Sequence, residues 1–504
     1  MTGEELPLEA AVPDPLESLG LRRILRSASG LSGASLVGSA LAVGAGFFAA
    51  HLLGPVRYGD GQFVLLIYLY ATLIRSGVFE GSVRSFIDHL SRGEEHEARR
   101  AQNVGVSFEL MVSAIPGIII AVVGIFLGPG VRELGFFIAP AAVIASSGGT
   151  FLSTLWSARR RFDVVGKVAF AQAILGPVLL IGFVATVGTA GIFLAPAVTS
   201  VVTALMYFAF RPPLGLRPSF DAGLARSFLG VGFPLGLLAE VYWAYRLVGS
   251  TSVALATKAA TFGLYSFAAA PVAVATSAIG GIQAVLLPNI WRELSRGATG
   301  PLWSRHAERI TLALAVIAGA TAGLGQAGFA PLVMAFLPSF QPSIRLFDIL
   351  ALTILLLPIA TVPSLVLDSK RMNRQKRHLS IWTVALLINV AANILVLRVG
   401  WGAQAVAVND VWIQFAVAIV IFETASSHIW TDDLGLRFRL YARLACVIAV
   451  AAAETIVLDT NAAHLTLARL DVAAILLRCG AVGVVWAAVG FALFGPGLRR
   501  MSRP

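Results

Sequence analysis

The sequence predicts an all-α integral membrane protein with about fourteen transmembrane helices. Two six-helix repeats form two lobes around a central cavity, and two C-terminal helices follow them. Three observations support this fold class: hydrophobic residues make up 57% and charged residues 13% of the 504 positions, Lys and Arg concentrate in every second loop, and turn motifs recur between the halves. A chain this apolar has too little polar surface to cover a water-soluble globule of its size. Its apolar surface must therefore face lipid.

The long apolar runs indicate helices. About 20 apolar residues are needed for a helix to cross a hydrocarbon core of about 30 Å, whereas barrel strands would alternate polar and apolar residues. The predicted spans are 31-53, 62-80, 104-127, 134-156, 168-187, 190-210, 231-250, 263-287, 310-330, 344-367, 379-398, 402-424, 440-458 and 472-494.

Most of the 38 Lys and Arg residues lie in the N-terminal tail, the even-numbered loops and the C-terminal tail. Cations near a membrane segment resist translocation. We therefore predict a multi-pass protein of the bacterial inner membrane with cytoplasmic N- and C-termini. The net charge of +11 is then explained by orientation and by contact with anionic phospholipids, and no nucleic-acid partner is expected.

Turn motifs divide the chain into two halves. The turn at Leu53 to Phe63 has a counterpart at Leu255 to Tyr265, and Val187 to Gly191 has one at Val399 to Ala403. Such duplication is common in transporters, whose substrate sites lie between repeats. The predicted organisation is 1-30, a cytoplasmic N-terminal tail with an interfacial helix; 31-210, the N-lobe; 211-230, a cytoplasmic inter-lobe linker; 231-424, the C-lobe; 425-494, two additional transmembrane helices; and 495-504, a cytoplasmic C-terminal tail.

Five segments in order along the chain carry a family resemblance. They are LGPVRYGDGQF (53-63), RPSFDAGLARSFLGVGFPLG (217-236), FGLYSFA (262-268), LLPNIWRELSRG (286-297) and INVAANILVLRVGWGAQAVAV (388-408). With them the chain resembles the polysaccharide and O-antigen flippases of the multidrug/oligosaccharidyl-lipid/polysaccharide exporter superfamily.

The resemblance implies a flippase rather than an enzyme. It would translocate polyprenyl-diphosphate-linked oligosaccharide, such as O-antigen or exopolysaccharide repeat units, across the inner membrane by alternating access. It implies no cofactor, and it implies a polysaccharide polymerase and a chain-length regulator as further partners. Alternatives within transport are a peptidoglycan lipid-precursor flippase and a small-molecule exporter. Alternatives of another class are a membrane glycan polymerase or ligase and a non-transporting scaffold.

Ionisable residues inside the spans are the first candidates for substrate binding, because a buried charge in a membrane is costly unless it is paired or wet. Arg75 and Arg246 belong to opposite halves, and each guanidinium offers a diphosphate a planar fork of donors. Glu109 and Glu240 could bind a proton or hold an arginine. Structural pairing or snorkelling to a head group explains the same residues and stays open.

Uncharged and paired polar residues complete the candidate set. Asn389 and Asn393 lie four residues apart and share one helix face, as do Asp410 and Gln414. These side chains could contact sugar hydroxyls, and Tyr245 could stack on a sugar ring, while interhelical hydrogen bonding remains the alternative. The seven His residues are scattered without a paired carboxylate at ligand spacing, so the sequence predicts no catalytic or metal site.

Overall fold

A computed structural model describes residues 21–74, 77–126, 130–159, 161–210, 215–295, 301–369, 372, 374–429, 434–462 and 472–501. This part of the chain is helical, without a strand. Its helices are α1 Leu21–Leu73, α2 Val78–Ser91, α3 Glu95–Ile125, α4 Val131–Ala158, α5 Phe162–Val187, α6 Gly191–Ala209, α7 Ala222–Ala256, α8 Ala259–Ser295, α9 Pro301–Phe336, α10 Ser343–Leu367, α11 Gln375–Arg398, α12 Gly402–Ile429, α13 Leu434–Ala462 and α14 Val472–Met501. Short 3-10 turns cover Gly188–Ala190 and Pro338–Phe340.

The membrane-spanning character predicted from hydropathy is confirmed. Within the described residues, eleven helical stretches are long and apolar enough to cross a membrane, and α7 is a twelfth if its two segments, bent by 48°, form one span. Two stretches each contain two predicted spans: Gly38–Leu73, interrupted at Gly54, and Phe162–Ala209, interrupted at the 3-10 turn. The predicted spans other than 62-80 therefore fall largely on described helix.

The structure departs from the prediction near the second span and the linker. The span 62-80 is not one helix: α1 ends at Leu73 and α2 begins at Val78, after Gly77 with φ +71°. Glycine is the residue that adopts this left-handed conformation without steric cost. The linker 211-230 is also shorter than predicted, because α7 begins at Ala222.

The helices pack as two bundles. Helices α1 to α6 pack on one another, α7 to α12 pack on one another, and α13 and α14 lie against α9. Most contacts between the bundles are made by α1 with α8 and by α2 with α7. The predicted repeat is visible in the backbone, since Gly188 and Gly400 lie in the corresponding turns, both with positive φ. The two lobes are thus helical bundles joined through α1 and α2.

The segment before α7 is fixed to the N-lobe. Arg217 donates its backbone N–H to Asn103 Oδ1 on α3 at 3.2 Å, and Arg100 Nη2 lies 2.6 Å from Asp221 Oδ2. Asp221 also caps α7 by accepting the Leu224 N–H at 2.9 Å. The Leu224 N–H and the Arg100 guanidinium together hold the pKa of the Asp221 carboxyl below its ordinary value. The capping contact is therefore ionic at neutral pH.

Candidate functional site

A cavity of about 600 Å³ lies between α1 and the C-lobe. Its α1 wall is largely leucine, with Gln62 and Thr72 as polar exceptions. The opposite wall comes from α7, α8, α10, α11 and α12, and it carries nearly all the polar groups. The predicted candidates that line this cavity are Glu240, Tyr245, Arg246, Asn389, Asp410 and Gln414. Candidates from three predicted spans, distant in sequence, therefore line one cavity.

Arg246 supplies a positive charge to the cavity wall. Its Nη1 lies 3.5 Å from Gln414 Oε1 and its Nη2 lies 3.4 Å from Thr276 Oγ1. Both distances are at the long limit for a hydrogen bond, and both acceptors are neutral. Gln414 is in turn held by donating to the Thr353 carbonyl at 3.1 Å. A closer, negatively charged acceptor would bind this guanidinium more strongly than the present partners do.

Asp410 is the centre of a buried polar network beside Arg246. Its Oδ1 accepts from Asn389 Nδ2 and its Oδ2 accepts from the Tyr265 hydroxyl, each at 3.0 Å. Asn409 Nδ2 donates to Asn389 Oδ1 at 3.2 Å and to Asn393 Oδ1 at 2.7 Å. The network joins α8, α11 and α12. It fixes the carboxylate in place, as buried polar groups require.

Gly249 on α7 makes room for this network. A Cβ at Gly249 would lie 1.9 Å from Asp410 Oδ2 and 2.5 Å from the Tyr265 hydroxyl oxygen. Both distances are below van der Waals contact, so a side chain here would displace the carboxylate. The absence of a Cβ therefore allows α7 to approach the polar face of α8 and α12.

Tyr245 separates this cavity from a second one. Its side chain is buried, and its ring centroid lies 5.1 Å from that of Trp382. Within the described part of the chain, the buried Tyr245 hydroxyl has no hydrogen-bond partner. A buried hydroxyl without a partner costs free energy, so it is a position at which a bound polar molecule would be stabilised.

Three predicted candidates lie elsewhere. Glu109 is buried in the N-lobe and lines a separate cavity of about 180 Å³ together with Phe151. Asn393 is fully buried and is not among the residues that line this cavity, and its Oδ1 accepts from Asn409 Nδ2 at 2.7 Å. Arg75 lies outside the described residues.

The lobes touch at both ends of the cavity through glycines. At one end, a Cβ at Gly263 would lie 2.0 Å from the Pro55 carbonyl oxygen, and a Cβ at Gly59 would lie 2.1 Å from the Ala259 carbonyl oxygen. At the other end, a Cβ at Gly232 would lie 2.0 Å from the Gly77 carbonyl oxygen. The close approaches are to backbone, which cannot turn away. At each of these positions the helices of the two lobes are therefore in direct backbone contact.

Several polar residues of this region were not predicted. They are Tyr265, Thr276, Thr353 and Asn409, which are single polar positions on apolar helices. The sequence predicted His residues without a paired carboxylate at ligand spacing, but the structure pairs His89 Nδ1 with Glu94 Oε2 at 2.6 Å and His378 Nδ1 with Asp368 Oδ1 at 2.8 Å. The turn between α10 and α11 brings His378 and Asp368 together across ten positions. Among the described residues, no three His, Cys, Asp or Glu side chains form a metal-binding group.

The fold is that of known transporters. The lipid II flippase MurJ in an inward closed conformation superposes with a TM-score of 0.69 at 12% identity, covering 93% of this chain and 99% of that one. A MATE transporter of Vibrio cholerae gives 0.56 at 13% identity, covering 84% and 99%. An inward-facing multidrug resistance MATE transporter of the MOP superfamily gives 0.53 at 17% identity, covering 85% and 98%.

No protein-family model and no curated protein matches the sequence. At these identities the structural likeness defines the fold alone. The chain is a multi-pass membrane protein with the two-lobed architecture shared by a lipid II flippase and by MATE transporters.

Proposed function

We propose that this protein is a flippase that translocates a polyprenyl-diphosphate-linked oligosaccharide, such as an O-antigen or exopolysaccharide repeat unit, across the bacterial inner membrane. The observation that carries the proposal is the polar C-lobe wall of the cavity, with Arg246 beside an array of amide and hydroxyl groups. The resemblance of the five sequence segments to polysaccharide flippases supports the glycan substrate, and the fold supports transport.

The chemistry of the wall fits a head group with two parts. Arg246 offers a planar fork of donors, which suits a diphosphate, and its present neutral partners are 3.4–3.5 Å away. Asn389 and Gln414 offer amide groups, and Tyr245 offers a buried hydroxyl without a partner among the described residues. Amides and hydroxyls both donate and accept hydrogen bonds, as sugar hydroxyls do.

Alternating access would use the two glycine contacts in turn. The loop charges predict that the Gly59 and Gly263 contact faces outward and that the Gly77 and Gly232 contact faces the cytoplasm. Parting the inner contact would admit the head group, and parting the outer contact would release it, while the lipid chain stays in the bilayer.

A peptidoglycan lipid-precursor flippase is the second candidate. The lipid II flippase MurJ covers 93% of this chain, so the likeness extends beyond the twelve helices of the two lobes. Lipid II also carries a diphosphate, and Arg246 would bind it by the same contacts. Only the sugar part of the substrate separates these two functions.

Complementation tests the proposal. The chain is expressed in a strain lacking its polysaccharide flippase and, separately, in one depleted of its lipid II flippase, and surface glycan or growth is measured. We expect wild type to restore surface glycan and Arg246→Gln to fail at equal membrane abundance. Arg226→Gln, an exposed arginine on the same helix, is the matched control and should restore glycan. Rescue of the second strain alone would replace the proposed substrate by the peptidoglycan precursor.

A further inference from the structure

A second cavity of about 390 Å³ lies within the C-lobe, between α7, α10, α11 and α12. It shares Tyr245, Arg246 and Gln414 with the first cavity, so these residues form a common wall. Its lining is mostly apolar. The exceptions include a polar cluster of Ser364, Asp368, His378 and Trp382, contributed by α10 and α11.

His378 is held by three partners. Its Nδ1 lies 2.8 Å from Asp368 Oδ1, and its Nε2 lies 3.0 Å from Trp382 Nε1 and 3.3 Å from Ser364 Oγ. An indole N–H can only donate, so Nε2 must accept from Trp382 and carries no proton. The hydrogen-bond network thereby assigns a neutral ring whose Nδ1–H donates to Asp368.

A proton added to this ring must change the partners of Nε2. The Nε2–H would face the Trp382 N–H, and two donors cannot bond each other. Ser364 Oγ is within reach and can accept the new N–H, while Asp368 continues to accept from Nδ1 and balances the positive charge. Proton binding therefore exchanges Trp382 for Ser364 and releases the indole.

The released indole belongs to the wall between the cavities. The Trp382 ring centroid lies 4.9 Å from that of Tyr242 and 5.1 Å from that of Tyr245. Tyr245 precedes Arg246 on α7, and both line the two cavities. A shift of Trp382 thus changes the packing of the aromatic residues that position the polar wall.

We propose that His378 is a proton-binding site of the C-lobe, and that its proton moves Trp382 and so repacks Tyr245 beside Arg246. Nε2 is the ring nitrogen that lacks a proton, and His378 and Ser364 both line the second cavity, so the proton reaches the ring from that cavity. The proton comes from hydronium in the adjoining water, and no other bond is made or broken.

Other titratable groups face this position. Among the described residues that line the second cavity, the charged and titratable ones besides His378 are Asp368, just after α10, and Tyr242, Tyr245 and Arg246 on α7, and α12 contributes the neutral Gln414. The exposed Arg374, Lys376 and Arg377 lie close to His378 in the chain. Of these types, only an imidazole ordinarily titrates between about pH 5 and 8.

Tryptophan fluorescence of the purified full chain in detergent tests proton binding without any substrate. An imidazolium quenches a neighbouring indole, so the difference between wild type and Trp382→Phe should fall from pH 8 to pH 5. For His378→Gln, the Trp382 fluorescence is the difference between that variant and the double variant His378→Gln/Trp382→Phe. We expect this difference to be independent of pH. His51→Gln, which removes an exposed His on α1, is the control and should leave the pH dependence intact. A difference that stays flat, or persists without His378, would overturn the proposal.

The same purified protein gives a second measurement that does not depend on His378→Gln folding. Ultraviolet resonance Raman spectra of wild type minus Trp382→Phe report the hydrogen bond of the indole N–H. The bond should be present at pH 8 and lost at pH 5, and a bond unchanged at pH 5 would overturn the partner exchange. The link to transport rests on the proposed function. If that function holds, His378→Gln should make the transport rate independent of pH. A wild-type protein that transports no substrate at any pH would count against the proposed function and not against proton binding by His378.

Discussion

Replacing Gly249 with alanine tests whether the polar network at Asp410 is organised as the structure indicates. The added Cβ would lie 1.9 Å from Asp410 Oδ2 and 2.5 Å from the Tyr265 hydroxyl oxygen. The carboxylate must move, and the Tyr265 hydrogen bond of 3.0 Å is then lost or strained. Gly44 on α1 is the matched control, since a Cβ there meets no atom within 4 Å.

The expected magnitude combines three contributions. Losing a buried hydrogen bond to a charged group costs about 1.5–3 kcal/mol. Overpacking at a close contact costs about 1–3 kcal/mol. The higher helix propensity of alanine returns about 1 kcal/mol. The net expectation for Gly249→Ala is a loss of about 1.5–5 kcal/mol in the free energy of unfolding, whereas Gly44→Ala should be neutral or slightly stabilising.

The assay is denaturant titration of the purified protein in detergent micelles, with wild type, Gly249→Ala and Gly44→Ala measured together. Helical circular dichroism reports unfolding. Gly249→Ala should unfold at distinctly lower denaturant concentration than the other two proteins. If the two glycine variants behave alike, α7 does not approach Asp410 as closely as described, and the account of the C-lobe wall is refuted.

Two further predictions concern the lobe contacts and the linker. Gly263→Val should part the lobes at its end of the cavity. Labelling of Ser266→Cys by a membrane-impermeant maleimide should then be several-fold faster, whereas Gly46→Val should not change the labelling rate. Equal labelling rates in the two valine variants would contradict a closed contact. For Asp221, whose folded pKa is depressed, stabilisation should be present above the unfolded value of about 3.9 and lost as pH falls through the folded pKa. The melting temperatures of wild type and Asp221→Ala should differ at pH 7 and converge in acid, and a gap independent of pH would show that the carboxylate charge is irrelevant.

Hydropathy and helical periodicity predicted much of the fold and part of the site. Apart from 62-80, which is divided between α1 and α2, the predicted spans are helical, because no other unclosed structure satisfies the backbone in lipid. The four-residue spacing of Asp410 and Gln414 placed both on one face, and both line the cavity. Polar residues within apolar helices are rare, and six of the nine candidates chosen on that ground line the cavity.

Long-range pairing was beyond what the sequence could predict. Glu109 and Glu240 are both carboxylates within apolar spans, yet one lies inside the N-lobe bundle and the other lines the cavity. Periodicity gives the face of a helix but not the helix that packs against it. His378 and Asp368 were missed for the same reason, since they meet only because α11 folds back on α10.

The close glycine contacts illustrate a related limit. Gly77 and Gly263 resemble the many other glycines of this chain, and glycine is frequent in membrane helices. Their role becomes apparent only when the opposing backbone is placed 2–3 Å from a hypothetical Cβ. Small residues permit such approaches between membrane helices, but they do not specify which pair of helices will meet.

Transport by purified protein in proteoliposomes tests the central claim most directly. Movement of a polyprenyl-diphosphate-linked oligosaccharide between leaflets is compared with that of the same polyprenyl oligosaccharide lacking the diphosphate, for wild type, Arg246→Lys, Arg246→Gln and Arg226→Gln. We predict that wild type and Arg226→Gln move the diphosphate-linked oligosaccharide faster than the lipid that lacks the diphosphate. Losing a charge-assisted contact of about 1.5–3 kcal/mol should slow Arg246→Gln roughly ten- to a hundredfold, with Arg246→Lys between. Equal movement of both lipids, or full activity of Arg246→Gln, would contradict the account.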